Sequence, residues 1–170
     1  MWCILLFIVF VGCSDDEGYV PGSIIAAADE QREQENARQE KLQKGRDFLN
    51  TGFNQLSEVL GNISDMISLW NSSNNLERTK ERASLALSNL ERANSSLREA
   101  SLSLDRTNNC ENNLLKSLQR ISGHYSNTLG KFLEYLDDSR GDSSKLDDAN
   151  QNLHKANKEI ETYNALPKCN

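Results

Sequence analysis

The side chains that could carry chemistry in this 170-residue chain are few: four cysteines, two histidines, and serines and carboxylates spread along its length. The cysteines are Cys3, Cys13, Cys110 and Cys169, and no two form a C-x-x-C pair, so neither a zinc knuckle nor a thiol-redox motif is written in the sequence. His124 and His154 have no carboxylate or cysteine at ligand spacing, and two imidazoles are too few for most zinc sites, so no metal is expected. No serine lies in G-x-S-x-G or S-x-x-K, and the nine glycines are too scattered for a phosphate loop. Neither an enzyme nor a cofactor is expected. Arg140-Gly141-Asp142 offers a cation and an anion on a hinge, in the manner of the tripeptide that integrins read; as an ordinary turn, the same residues end one helix and cap the next. Asn62, Asn71 and Asn94 head N-x-S sequons, but Ile63 and Trp70 beside them read as core.

These residues must be positioned by helices. Two prolines, 37% apolar residues and abundant Leu, Ala, Glu, Lys and Arg favour an all-α fold. In the first stretch Leu49, Leu56, Ile63 and Trp70 recur every seven residues, with Gly52, Val59 and Met66 three further on and Phe53, Leu60 and Ile67 beside them. Three apolar positions in seven make the face of a bundle helix. Residues 28–47 are nearly all polar, helix-prone with little to bury, and read as an exposed or partner-dependent extension. The second stretch sets Leu76, Ala83, Leu90, Leu97 and Leu104 against Thr79, Ala86, Ala93, Ala100 and Thr107, with Asn74 and Glu77 at capping-box spacing. The third carries Leu114, Ile121, Thr128 and Tyr135, interleaved with Leu118, Tyr125 and Phe132 and flanked by Leu115, Leu129 and Leu136. In the fourth, Leu146, Leu153 and Ile160 face Ala149, Ala156 and Tyr163. The expected helices span about 28–70, 75–107, 110–137 and 143–166. Short breaks between them favour antiparallel neighbours, so the expected fold is an elongated up-and-down bundle, or antiparallel coiled coil, of about four helices. The alternative is an extended coiled coil that buries its seams against another chain, a homo-oligomer included.

Residues 2–13, W-C-I-L-L-F-I-V-F-V-G-C, are uncharged and too short to span a bilayer, which takes about 20 residues. Phe10-Val11-Gly12-Cys13 resembles a lipobox, the cleavage site of bacterial lipoprotein precursors. The resemblance implies removal of residues 1–12 as a signal peptide, acyl chains (palmitate among them) on Cys13 and a place in the cell envelope. By the same resemblance, Ser14 after the cysteine implies the outer membrane rather than inner-membrane retention. Several acyl chains hold a protein on a bilayer where one binds only marginally. Residues 13–27, with Asp15, Asp16, Glu17, Gly18, Pro21 and Gly22, read as an acidic tether, leaving 28–170 for the bundle.

With Cys3 removed and Cys13 acylated, Cys110 and Cys169 remain. Cys110 falls at the break before the third helix and Cys169 just past the fourth, so up-and-down topology brings both to one end of the bundle. In an oxidising compartment they can form a disulfide. The net charge of −6 argues against nucleic acid as a partner, because phosphates need a basic stripe that is missing here. The reading is a non-enzymatic, lipid-anchored envelope protein that presents its bundle to an unidentified protein partner. A host-contact adhesin acting through Arg140-Gly141-Asp142 and a soluble secreted helical protein are the alternatives.

Overall fold

The structure is a computed structural model describing residues 22–73, 75–105, 107, 109–138 and 142–169. Four helices follow one another: α1 (Gly22–Ser73), α2 (Leu76–Ser103), α3 (Asn109–Asp137) and α4 (Ser143–Ala165). No strand occurs among the described residues. The chain divides into two compact units, the first ending at Asn36 and the second running from Ala37 to Asn170. In the first unit the described residues belong to α1 and those from 26 to 36 are all exposed, Arg32 lying 4.0 Å from Asp29 one turn back. Over 26–36 burial contributes little, and helix propensity and such pairs support the helix.

The second unit is an up-and-down four-helix bundle, and its register follows from paired side chains. A Cβ added at Gly45 would meet Leu104, and one at Gly52 would meet Leu97. Ser96 donates to Gln55 Oε1 at 2.9 Å, and Arg82 lies 4.0 Å from Asp65. As residue numbers rise along α1 their partners on α2 fall, so the two helices are antiparallel. Asn94 with Ser122, then Lys80 with Asp137, set α2 against α3 in the same sense. Ser117 with Glu159, then Asp138 with Lys145, do so for α3 and α4. Arg46 pairs with Glu111 and Trp70 with Tyr135, so α1 and α3 run in the same direction.

Heptad spacing fills the interior of this bundle. Leu49, Leu56, Ile63, Val59 and Met66 of α1 are buried, as are Ala83, Ala86, Leu90, Ala93, Leu97 and Ala100 of α2. From α3 come Leu115, Leu118, Ile121, Tyr125, Leu129 and Phe132, and from α4 Ala149 and Ala156. Small residues on one helix opposite large ones on the next let the axes approach closely. Gly45 and Gly52, seven residues apart, are the extreme case. An added Cβ would stand 2.7 Å from Leu104 Cδ2 at the first and 2.7 Å from Leu97 Cδ2 at the second, so a leucine of α2 and the leucine that caps its end occupy the space where α1 has no side chain. At one end Trp70 stands edge-on to Phe132 and Tyr135.

Several details depart from the sequence expectation. The helix starts at Gly22, so residues 22–27, expected in the tether, are helical. Burial along α1 begins at Leu42 and Gly45, inside the stretch read as exposed to 47, because Leu104, the residue that caps the end of α2, packs against Gly45. The cap of α2 is Asn75, whose side chain accepts from Arg78 N at 3.1 Å; that places Glu77 at the second helical position, too early for a capping box with Asn74. Leu76, expected in the seam, is 41% exposed as the first residue of its helix. Thr107 lies in a turn, since α2 stops at Ser103 and Leu104 turns extended. Four buried polar residues also line the interfaces: Asn89, Ser96, Ser117 and Ser122. Each meets a polar partner on a neighbouring helix: Glu58, Gln55, Glu159 and Asn94 respectively.

Candidate functional site at the disulfide end

Two cysteines distant in sequence meet where α3 begins and α4 has just ended. Cys110 is the second residue of α3. Beyond α4, the Leu166 N–H bonds back to the Tyr163 carbonyl, Pro167 cannot continue the helix, and the chain turns toward α3. There Cys169 forms a disulfide with Cys110, with Cα atoms 5.8 Å apart across 59 residues of sequence. The Pro167 carbonyl oxygen lies 3.5 Å from Cys110 Sγ. The pairing expected from up-and-down topology is present.

Next to Cys110, Glu111 is 1% exposed. Its Oε1 accepts from Arg46 of α1, with Nη2 at 2.7 Å and Nε at 2.8 Å. Its Oε2 is buried and has no hydrogen-bond partner among the described residues. A buried carboxylate is expensive unless its lone pairs are met, so the unpartnered oxygen marks this place chemically. Beside the pair is a cavity of about 390 Å³, walled by Leu49, Phe53, Leu114, Tyr163 and the Leu166–Cys169 tail. The Phe53 and Tyr163 rings stack there with centroids 5.0 Å apart. Burial in this wall raises the Tyr163 pKa above the ordinary phenol value. One sulfur from each cysteine and a carboxylate oxygen of Glu111 lie within 4.8 Å of one another. In the disulfide neither sulfur is a thiolate, so this state offers no soft ligand.

Glu111 and Arg46 escaped the sequence reading, yet both sit on its heptads. Glu111 precedes Leu118, Tyr125 and Phe132 by whole heptads, and Arg46 precedes Phe53, Leu60 and Ile67. Extending either row one step back finds a charge at a core position, a signal for a buried ion pair.

The other expected site residues are dispersed. Cys13, together with the whole stretch 1–21, lies outside the described residues, as do Arg140 and Gly141. Asp142 is exposed and caps α4, its Oδ1 accepting from Ser144 N at 3.0 Å; hydrogen bonding from the Ser144 side chain, then from its backbone N–H, lowers the Asp142 pKa. His124 is half-buried on α3 and His154 exposed on α4. Of the sequon asparagines, Asn62 is half-buried with its side chain donating to the Glu58 carbonyl, while Asn71 and Asn94 are exposed. A larger groove of about 860 Å³ lies beside the α2–α3 turn, lined by Arg38, Lys41, Leu102 and Asp105. Arg38 and Asp105 close it at 2.7 Å, and hydrogen bonds from Thr107, then from Arg38, lower the Asp105 pKa. Compared with known proteins, the chain matches no family model, no curated protein and no solved structure.

Proposed function

We propose that the protein is a non-enzymatic, lipid-anchored envelope component that offers a helical bundle, and the polar helix leading into it, to a protein partner. The observation that carries this reading is the exposure of every residue from 26 to 41 on a helix that continues into a packed core. Such a stretch has no fold of its own to serve and keeps its charged side chains in water. A partner helix or groove that matches its charges would give it a role. Among the described residues no helix is long and apolar enough to cross a membrane. In this reading attachment rests on Cys13, through the lipobox-like Phe10-Val11-Gly12-Cys13. Acyl chains at that position would hold the bundle at the membrane surface, behind a short acidic segment.

The adhesin alternative has less behind it, since the Asp142 carboxylate is engaged in capping α4. Intact mass of the protein extracted from membranes tests the proposal. A mass equal to residues 13–170 plus acyl chains is the expected result. A soluble product without acyl mass would overturn it in favour of a secreted helical protein.

A further inference from the structure

We propose that, with Cys110 and Cys169 in the dithiol form, the protein binds a thiophilic divalent cation, zinc by preference, through the two sulfurs and Glu111 Oε2. The site is independent of any anchor and would hold in a soluble product equally. The two sulfurs and a carboxylate oxygen of Glu111 already converge, within 4.8 Å of one another, although no short motif joins them. The third donor is the stronger pointer. Glu111 is all but fully buried, its Oε1 is fixed by Arg46, and its Oε2 faces no donor among the described residues. Arg46 thus orients the carboxylate as an outer-shell partner orients a metal ligand.

Geometry permits the change of state. Cys169 lies four residues past the end of α4, in a segment belonging to no helix. Its sulfur can therefore retreat from bonding distance to the ~3.8 Å between two thiolates on one tetrahedral zinc. The adjoining cavity of about 390 Å³ leaves room for water as a fourth ligand. Charge also balances: two thiolates, one carboxylate and a divalent cation sum to −1, and the Arg46 guanidinium supplies the compensating +1. Thiolates select zinc over magnesium or calcium.

The chemistry needs a thiol reductant. Two thiols of the reductant exchange with the Cys110–Cys169 bond, leaving two protein thiols and one reductant disulfide. Metal binding then displaces the two S–H protons to solvent. Oxidation by a diazene reverses the process: the two sulfurs rejoin, the diazene takes two electrons and two protons to become a hydrazine, and the metal leaves.

The full chain, reduced with a dithiol that is then removed under nitrogen, is titrated with Co²⁺ while circular dichroism follows its helices. One cobalt per chain, with sulfur-to-cobalt absorption in the near ultraviolet that Zn²⁺ abolishes, is the expected result. E111Q weakens binding ~10-fold or more, C169S removes the absorption, and diamide releases the metal from the wild type. Reduced wild type that takes up no cobalt overturns the proposal, whether or not its helices survive. So does a folded C169S chain that binds as the wild type does, a result that decides the matter even if E111Q fails to fold. Cobalt held equally tightly by folded E111Q removes Glu111 from the site and with it the proposal.

Discussion

Glu111 and Arg46 form a partly buried ion pair whose components are worth little separately. Removing one partner of such a pair leaves a charge in a low-dielectric setting, which costs several kcal/mol, whereas replacing both with apolar groups is often neutral. Arg46→Met is expected to lower stability by about 3 kcal/mol in urea unfolding, and Arg46→Met with Glu111→Leu to recover most of that loss. Failure of the second change to rescue the first would mean that the loss comes from other contacts of Arg46 and not from a stranded carboxylate. Tyr125 makes a different point. The residue is 1% exposed, and burial pushes its pKa up to about 12. The unfolded chain releases that proton near pH 10 while the folded chain keeps it, so between pH 10 and about 12 the bundle should lose ~1.4 kcal/mol of stability per pH unit from this group. Tyr125→Phe should flatten that part of the profile, read as denaturant midpoint against pH.

Helices hold these residues in place, and their contact is most exacting where α1 lacks side chains. The Cβ of a side chain introduced at Gly52 would collide with Leu97, whose Cδ2 and Cγ would lie 2.7 Å and 3.1 Å from it. Gly52→Val should therefore destabilise by about 1–3 kcal/mol, with thermal melting as the check. At the start of α2, Asn75→Ala removes the acceptor for Arg78 N and should cost about 1 kcal/mol. Much of this element-level picture was legible from spacing alone. Leu56, Ile63, Ala86, Ala93, Leu118 and Phe132 fall on the core side as their heptads require, because one period governs both helix geometry and burial. What spacing could not give is how far each seam extends. Leu76 and Thr107 continue the α2 pattern on paper, yet one is the first helical residue and the other lies in the following turn. Nor could it assign the buried serines and Glu111, since a polar residue at a seam position becomes core only when a neighbouring helix supplies its partner. Arg46, Phe53 and Tyr163 join Glu111 around one cavity through the relative register of α1, α3 and α4, which lies beyond any single-helix periodicity.

Across the bundle of residues 37–170, up-and-down topology brings Cys110 and Cys169 to the end where Arg46 meets Glu111. In mechanical terms the sulfur bridge is a short circuit. A load applied to the C-terminal tail passes directly to the first turn of α3, and residues 111–168 between the cysteines carry none of it while the bond holds. Pulled between residue 37 and the tail, the oxidised bundle should come apart through α1 and α2 alone. Reduction should lengthen the fully extended chain by about 200 Å, the span of the enclosed segment. Single-molecule extension with and without reductant measures that difference, and equal lengths in the two conditions would mean that the load path avoids the bridge. A bundle built this way shields half of its helices from tension and yields through the other half.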